Sequence, residues 1–429
     1  MNRLLFKSLL GATFLSMAVV GTANAGGFGR GSADTDIIYE DGNFNMRSSV
    51  TYVHPTRKFK TNANPQLNGS DYAADYMVPS FAIKLNVTDN FRCAGTHVMN
   101  NGGNAVYEFP TISGKLSEEF TTYKSALTCG VKFDVGRGNF WLLGGAFLEK
   151  FDYTRINVVG DLPGDVALSN AVLALDGDDT GYRLGVAYEI KEIAFRAQLL
   201  YRSGTKYGAD GSLTVPTGAL LGSQAAALQQ QAQALANAGQ FVQAQQVAAQ
   251  AQAVLGQAYA AAAANLRSAL PAIGTGDLPQ SIELKLQSGI APGWLAFGAI
   301  KWTDWSETKQ LIAEAFTPLG TTINSTNDYF WKDGWTFTAG VGHQFNDSVS
   351  GLVALTYDQG VATGWDLISD SWTLSAGTLL KDKLGGELRL GGGLTYIGSA
   401  EETKYAVGEN SSADSGWAVA GSIGYSIKW

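Results

Sequence analysis

Few side chains in this sequence are placed as enzymatic chemistry would require. His54, His97 and His343 are the only histidines, and they lie far apart in segments of alternating polarity. No Gly-x-Ser-x-Gly nucleophile elbow occurs. The run Gly27–Gly31 resembles a phosphate-binding loop, but no strand of a mature chain would precede it, as such a loop requires. We therefore predict that the protein is not an enzyme and takes no cofactor.

Residues of metal-binding types are also sparse. Asp176, Asp178 and Asp179 could bind Ca²⁺ in an exposed loop, but a solvated acidic turn explains the same pattern, and we predict no metal site. Cys93 and Cys129 are the only cysteines, which excludes a disulfide framework and a four-cysteine metal site. Both fall on the apolar faces of segments predicted as neighbouring strands. They either form a disulfide in an oxidising compartment or remain two thiols packed against lipid.

The N-terminus has the features of a secretory signal. Two basic residues are followed by an apolar run at residues 9–20 and then by Ala23-Asn24-Ala25, a small-x-small cleavage site. A membrane anchor is the alternative, but the apolar stretch is too short and its flanks are wrong. We predict a signal peptide at residues 1–25 and a mature chain that begins at Gly26.

The composition favours a membrane protein that is built of strands. No later run of 18 apolar residues exists, so we expect no membrane-spanning helix in the mature chain. Only 16% of the residues are charged, whereas 52 glycines and 47 aromatic residues (17 Tyr, 20 Phe and 10 Trp) suit many short strands that face lipid. The formal charge of −8 and the lack of a basic cluster argue against nucleic acid as a partner.

Apolar side chains alternate with small or polar ones along most of the chain. In the last segment, residues 417–429, one face runs from Trp417 to Trp429 through apolar residues, and the other face is small and polar and includes Lys428. Successive side chains of a strand point to opposite sides, so each such segment has one oily and one polar face. Arg or Lys on a lipid face would cost about 2–4 kcal/mol each at mid-bilayer. The polar faces must therefore line a wet lumen.

Fourteen segments follow this pattern. Short turns such as Val87-Thr88-Asp89-Asn90 join neighbouring segments, which favours an antiparallel meander. An even count suits a closed single-chain barrel with both termini on the periplasmic side. We predict an all-β fold, a transmembrane antiparallel β-barrel at residues 46–429 in the bacterial outer membrane. The segments are 46–58, 77–88, 90–108, 119–135, 139–158, 181–191, 193–215, 278–291, 294–311, 335–346, 348–360, 371–381, 384–398 and 416–429.

Residues 219–270 break the pattern. They are mostly Ala and Gln, which are good helix formers, and Arg267 is their only charge. Leucines at 221, 228 and 235 and a valine at 242 recur at a heptad spacing, so we predict an αα-hairpin with an apolar seam on the extracellular side. One interpretation is that the seam only packs the two helices together, and a coiled-coil partner is another. A third is that an apolar face covers the barrel mouth and captures ligands, in which case the entry is lined by Leu220, Leu228, Phe241, Leu255, Tyr259 and Leu266.

Residues 276–311 carry motifs of a known family. Asp277-Leu278-Pro279 opens one segment, and Lys301-Trp302-Thr303-Asp304-Trp305-Ser306 lies in the next. The first is similar to a Leu-Pro-containing strand start, and the second resembles a strand with a Trp-Ser pair, in the FadL family. This family comprises the outer-membrane long-chain fatty acid transporters and also includes aromatic-hydrocarbon channels. The strand count, the helical loop and the terminal Trp429 extend the resemblance over nearly the whole mature chain. The terminal pattern also resembles the signal read by the barrel insertion machinery.

The resemblance implies a barrel that is plugged by an N-terminal hatch. Ligand would be captured in an outer apolar groove, pass to an inner pocket and leave sideways through a gap at a kink in the third strand. Here the third segment contains Asn100, Asn101, Gly102 and Gly103, and glycines within a strand often mark a bulge. An ordinary loop boundary would explain the same residues.

The predicted hatch, residues 26–45, is shorter than is usual in the family. Gly29-Arg30-Gly31 and residues 34–36 resemble its Gly-Arg and acidic elements, but its Asn-Pro-Ala step is absent. Whether so short a segment plugs the barrel is left open by the sequence.

The resemblance also implies a basic residue that meets a carboxylate where the fifth strand enters its loop. Asn157 aligns with that position, so Arg155 on the same face and Lys309 after the Trp-Ser pair are the candidates. A buried cation beside apolar walls would select an amphipathic acid, whereas an ordinary rim or lumen charge explains both residues equally well. Apolar cover from the following loop would come from Leu162, Val166, Leu168, Val172 and Leu173.

We predict a passive transporter whose partners are hydrophobic small molecules and outer-membrane lipid. Long-chain fatty acids are the first expectation, and the sequence does not choose between them and aromatic hydrocarbons. The alternatives are a general porin for small polar solutes and a surface receptor or adhesin that uses the Ala/Gln hairpin.

Overall fold

A closed barrel is the main feature of the computed structural model, which describes residues 26–33, 35–318, 320–383 and 385–429. The predicted signal peptide, residues 1–25, lies outside the described residues. Eighteen strand segments form one antiparallel sheet, and the last pairs with the first. Four strands consist of two segments each, which leaves fourteen strands and confirms the predicted fold class and strand number. Neither helix of the described chain is long and apolar enough to cross a membrane.

The strands are numbered here in chain order, and β7 to β10 are each given as two segments. They are β1 (Phe44–Thr56), β2 (Tyr76–Asn86), β3 (Phe91–Val106), β4 (Lys115–Val135), β5 (Gly138–Asn157), β6 (Ala171–Ile190), β7 (Phe195–Arg202 and Thr205–Pro216), β8 (Arg267–Leu278 and Ser281–Ala291), β9 (Trp294–Thr303 and Gln310–Phe316), β10 (Thr322–Asp328 and Gly334–Gln344), β11 (Val349–Asp358), β12 (Ser371–Lys381), β13 (Gly386–Ile397) and β14 (Gly416–Lys428). Short turns join the strands at the barrel end that holds Trp429, which we call the terminal end. The longer connections lie at the opposite end, the loop end.

The alternating pattern places the side chains as predicted in the lower half of the barrel. Lys84 and Arg183 are fully buried inside, whereas Ile423 and Tyr425 on the outer face of β14 are exposed. The charged side chains therefore face the lumen, and the aromatic and aliphatic side chains form the outer surface.

The predicted starts of β6, β8 and β10 are wrong, because these strands extend further toward the loop end. β6 begins at Ala171, so the acidic residues 176, 178 and 179 lie on a strand and not in an exposed loop. In this upper part the pattern is reversed: Leu173 and Leu175 are buried inside, and Asp176 is exposed outside. The rule that polar side chains face the lumen fails here, because this part of the wall is polar on its outer side. The described residues contain no group of three or more His, Cys, Asp or Glu side chains that could hold a metal ion.

Two helices connect β7 to β8. They are α1 (Thr217–Asn237) and α2 (Phe241–Ala263), and strand β8 starts at Arg267, so the predicted insertion 219–270 ends too late. The fully buried residues between the helices are alanines, with the leucines at 221, 228 and 235 only half-buried beside them and Val242 exposed. Small side chains let the two helices approach closely, so alanine forms the centre of the seam. The buried alanines of the helices are Ala225, Ala232, Ala244, Ala251, Ala258 and Ala261.

The two cysteines form a disulfide. Cys93 of β3 and Cys129 of β4 are direct cross-strand neighbours, with Cα atoms 4.0 Å apart. Of the two interpretations left open by the sequence, the disulfide is the one the structure contains.

The alanine seam leads to a test of the hairpin. Replacing Ala251 by Leu should force the helices apart at a cost of about 1–3 kcal/mol, because the site is already filled. Ala253→Leu, at an exposed position of the same helix, is the matched control. Elastase digestion of the folded protein should cut the hairpin of the first variant about tenfold faster than that of the control. Equal rates would show that the alanine contact does not hold the helices together.

Candidate functional site

A line of strand interruptions crosses one side of the barrel wall. β7 breaks at residues 203–204, β8 at 279–280, β9 at 304–309 and β10 at 329–333. The breaks are neighbours: a Cβ atom at Gly204 would lie 2.6 Å from the Leu278 carbonyl oxygen, and Asp304 N donates to the Gln280 carbonyl over 3.0 Å. Trp305 and Trp331 lie within these breaks and are almost fully buried. The interruptions thus bring two large rings into the lumen.

Phe28 of the N-terminal segment completes an aromatic layer with these rings. Its ring centroid lies 4.6 Å from that of Phe120, 5.2 Å from Tyr329, 4.7 Å from Trp331 and 6.2 Å from Trp305. Trp305 and Trp331 pack edge to face, with centroids 5.2 Å apart. We call this layer the aromatic floor, because it separates a large cavity at the loop end from a smaller, polar cavity below.

The upper cavity, which we call the chamber, has a volume of about 660 Å³. Rings form much of its wall, which suits a pocket for flat or greasy molecules. Its aromatic side chains are Phe28, Phe59, Tyr72, Tyr107, Phe120, Phe151, Tyr153, Tyr207, Tyr329, Trp331, Trp365 and Tyr405.

The chamber also contains carboxylates on the connecting loops. Burial raises the pKa of the Asp366 carboxyl to about 6, although Trp331 Nε1 and the backbone N–H of Ile368 donate to it. Burial raises the pKa of the Glu402 carboxyl to about 7, against a 2.8 Å hydrogen bond from the backbone N–H of Ser411. On the chamber wall, Glu118 pairs with Lys115 and accepts a 2.6 Å hydrogen bond from the Tyr153 hydroxyl.

A plug lies in the lumen below the aromatic floor, next to the smaller cavity. A short 3₁₀ helix, Thr35–Tyr39, is buried over its whole length. The Asp36 carboxylate lies 3.0 Å from Lys285 Nζ and 4.0 Å from an Arg196 nitrogen, and Lys84 Nζ donates to the Glu40 carbonyl over 2.7 Å. These charged contacts tie the N-terminal segment to the wall, so the short hatch does occupy the barrel.

The wall between β2 and β3 is incomplete beside the floor. The described pairing of these strands runs from Asn86–Arg92 only to Ser80–Val98. β3 then shifts register between Met99 and Asn101, so Asn100 is a bulge. The strand continues to Val106 paired with β4 on one side, and on the other side single bridges from Gly29 to Asn101 and from Ala73 to Ala105 replace β2. We call this region the wall gap.

The N-terminal segment lies in the wall gap. Arg30 N donates to the Asn100 carbonyl over 2.9 Å, and Gly102 N donates to the Phe28 carbonyl over 2.8 Å. Arg30 Nε donates to the Gly102 carbonyl, and its guanidinium carbon lies 3.4 Å from the ring centroid of Tyr76 on β2. The same segment therefore forms the floor and bridges the two sides of the gap.

The two predicted basic ligands do not reach the chamber. Arg155 is half-buried and donates to Asn157 and Ser325, and Lys309 is exposed. Among the described residues that line the chamber, the basic ones are Arg30, Arg57 and Lys115. Arg57 was missed because it follows the end of a strand with no motif around it, and only the fold carries its guanidinium to Ser369 and Gly398.

The predicted apolar residues fall into three groups. Leu173 is buried in the cluster behind the chamber, and Leu220 packs against that cluster. The loop before β6 instead packs against the base of the hairpin: Leu162 lies beside Gly222, Leu168 beside Gly218, and the Tyr259 hydroxyl donates to the Pro163 carbonyl over 2.8 Å. The remaining predicted residues are half-buried or exposed and lie outside the chamber, namely Val166, Val172, Leu228, Phe241, Leu255 and Leu266.

Several solved structures resemble this one over nearly their whole length. A Pseudomonas aeruginosa FadL homologue superposes with a TM-score of 0.67 at 14% identity, covering 96% of this chain and 98% of that one. The Pseudomonas putida toluene transporter TodX gives 0.60 at 11% identity, covering 96% and 97%. The Ralstonia pickettii toluene transporter TbuX gives 0.58 at 11% identity, also covering 96% and 97%. At these identities the likeness shows a shared fold.

The sequence itself matches one family, described as outer membrane protein transport protein (OMPP1/FadL/TodX), over residues 33–362. No curated protein sequence matches this chain.

The charged contacts of the plug predict its effect on conductance. Asp36→Asn should weaken the hold of Lys285 and Arg196 on the 3₁₀ helix, because it removes the negative charge between two buried cations. We expect single-channel conductance in planar bilayers to rise at least about tenfold when such a buried ion pair is broken. Asp41→Asn, which breaks an exposed pair with Lys191, should leave conductance unchanged. Equal conductance of the two variants would show that the Asp36 contacts do not hold the plug.

Proposed function

Because this chain belongs to the outer membrane protein transport protein family (OMPP1/FadL/TodX), we propose that it carries hydrophobic molecules passively through the bacterial outer membrane. The family consists of transport channels and not of enzymes. The observation that supports this role for the present chain is the ring-lined chamber, which ends on the aromatic floor beside the wall gap. We place the loop end outside the cell and both termini in the periplasm.

The proposed route ends sideways. A molecule enters from the loop end and rests in the chamber. It cannot continue down the axis without crossing the plug and its buried charges, a costly environment for an apolar solute. The wall gap at Asn100–Gly103 opens instead toward the hydrocarbon of the membrane, which dissolves such a solute. Movement of residues 28–31 away from β3 would clear this exit.

Two classes of hydrophobic molecule are candidates for transport. Long-chain fatty acids are the substrates expected first from the sequence. Aromatic hydrocarbons are the second candidate, and the ring side chains of the chamber favour them, since rings pack well edge to face against rings. Two of the similar structures, TodX and TbuX, are toluene transporters. Uptake of labelled oleate and labelled toluene by the same cells compares the classes directly.

A general porin and an adhesin remain the rivals of this proposal. A porin needs a water-filled path along the axis, where this chain has a plug that is held by ion pairs. An adhesin would use the helical hairpin, whose base packs against the loop before β6. Neither rival requires the ring-lined chamber.

Blocking the wall gap tests the lateral exit. A Cβ atom at Gly103 would lie 3.3 Å from the Phe28 ring, so Gly103→Val should wedge the N-terminal segment in the gap. We expect the uptake rate of labelled toluene or oleate to fall at least about tenfold. A tenfold fall corresponds to a rise of about 1.4 kcal/mol in the free-energy barrier of an obligatory step. Gly392→Val, on the outer face of β13 and nearly free of close contacts, is the control and should transport normally. Normal uptake by Gly103→Val would contradict exit through this gap.

Removing the hairpin tests capture at the mouth. Deleting residues 219–264 leaves Gly218-Asn265 as a two-residue turn, because Thr217 N already donates to the Leu266 carbonyl over 2.8 Å. If the hairpin captures ligand, uptake at low substrate concentration should fall while uptake at saturating concentration is kept. A transporter that keeps its full low-concentration uptake would limit the hairpin to another role. Loss of binding to a surface partner with intact uptake would point to the adhesin.

A further inference from the structure

The chamber contains more acidic than basic side chains. Its lining has six carboxylates and three basic groups. The described ion pairs of the lining join Lys115 to Glu118 and Lys206 to Asp277. In the described part of the chain, Asp328, Asp366 and Glu402 belong to no ion pair, and we call these three residues the acidic rim. The lining therefore has three more carboxylates (six against three) than basic groups, and a ligand that enters meets net negative charge when Asp366 and Glu402 are ionised.

The acidic rim converges on one aromatic side chain. Burial raises the pKa of the Tyr405 hydroxyl to about 12, and the charges of Glu402, Asp328 and Asp366 add to the shift. The Tyr405 ring packs edge to face on Trp365, with centroids 5.4 Å apart, and both rings line the chamber. Aromatic faces attract organic cations, and carboxylates beside them strengthen the attraction.

The rim carboxylates keep part of their hydrogen-bonding capacity. Asp328 accepts a 2.7 Å bond from Gln310 Nε2, Asp366 accepts from Trp331 Nε1, and Glu402 accepts from the backbone of Ser411. A carboxylate has room for about four hydrogen bonds. Ammonium donors of a ligand can therefore add to these bonds without displacing them.

We propose that the chamber selects ligands by charge and takes aromatic molecules that carry an amine in preference to aromatic carboxylates, with the acidic rim recognising the ammonium group. The aromatic part of the ligand lies against Phe151, Tyr207 and Trp331 deeper in the chamber, and the ammonium group stays at the rim. This inference rests on the proposed function and narrows its substrate class. It also explains why neither Arg155 nor Lys309 is needed in the lining.

Three probes of one shape test the inference. 2-Phenylethylammonium, 3-phenylpropanoate and propylbenzene share a ring and a short chain and differ mainly in charge. Binding to the purified full chain is followed by quenching of tryptophan fluorescence and by calorimetry at about pH 8, where the amine is charged and the carboxylic acid ionised. We expect the ammonium probe to bind at least about tenfold more tightly than the carboxylate, the size of effect expected for unpaired carboxylates facing a charged ligand.

Conservative variants assign the effect to the rim. Asp366→Asn keeps an oxygen for the bond from Trp331 and loses the acceptor of the Ile368 N–H, whereas Glu402→Gln keeps an oxygen for the bond from Ser411. Both variants remove the charge. Each should bring the ammonium and carboxylate affinities closer together, and the ratio of these two affinities is the measured quantity. Asp210→Asn, at an exposed position near the same barrel end, controls for the overall charge of the molecule. Carboxylate binding as tight as ammonium binding in the parent protein would overturn the proposal, as would an unchanged preference in both rim variants.

The acidity of the rim adds a dependence on pH. Because the pKa values of Asp366 and Glu402 are raised to about 6 and about 7, both groups gain negative charge as the pH rises between about 5 and 8. The preference for the ammonium probe should therefore grow over this pH range. In a double variant that carries both Asp366→Asn and Glu402→Gln, the preference should not change with pH. The other charged residues of the lining also contribute, so the remaining preference reflects their charges: Arg30, Arg57, Lys115, Glu118, Asp277, Asp328 and Glu409.

Failure of this inference is separate from failure of the proposed function. If propylbenzene and toluene enter cells through this chain but the three probes bind alike, transport stands and charge selection falls. If no hydrophobic probe is transported at all, the proposed function itself falls, whatever the binding shows.

Discussion

Buried charge inside the barrel is the constraint on which the rest of the structure depends. An outer wall that faces lipid forces the polar side chains of each strand inward, and there they lose water unless they find partners. Lys285, Arg196 and Lys84 find them in the N-terminal segment, at the Asp36 carboxylate and the Glu40 carbonyl. The plug thus supplies the acidic and carbonyl groups that pair with these basic side chains of the wall. These contacts stabilise the plug in the lumen, where it lies across the axial path.

Because the plug lies across the barrel axis, the loop-end half of the barrel forms a separate chamber. Strand interruptions at one level turn Trp305 and Trp331 inward, and Phe28 meets them from the plug. The resulting floor separates a ring-lined chamber from the charged lumen, so apolar solutes and buried ions occupy different compartments. Residues 28–31 take part in both the floor and the wall gap. A single movement of this segment would therefore change the chamber and its exit together.

The lower barrel could be predicted from the sequence because one rule holds there: lipid outside requires apolar residues at every second position. The rule fails at β6, where Leu173 and Leu175 point inward and Asp176 points outward, since that part of the wall is polar outside. The heptad spacing of the leucines predicted the two helices correctly. It also predicted a leucine seam, whereas alanines form the contact between the helices. The bulge at Asn100 followed from paired glycines, which local sequence can show. The place of Asp366 and Glu402 in the chamber could not be predicted, because they lie on two different loops that only the folded barrel brings to one cavity.

The most direct test of this account joins the N-terminal segment to the wall at the gap. Gly29 and Asn101 lie opposite each other in an antiparallel bridge between the N-terminal segment and β3, as Cys93 and Cys129 do between β3 and β4, so Gly29→Cys and Asn101→Cys can form a disulfide. The account predicts that toluene and oleate uptake is blocked when this pair is oxidised and returns on mild reduction, while the Gly29→Cys single variant transports under both conditions. Full uptake by the oxidised double variant would contradict it, because a fixed segment would then leave the route open.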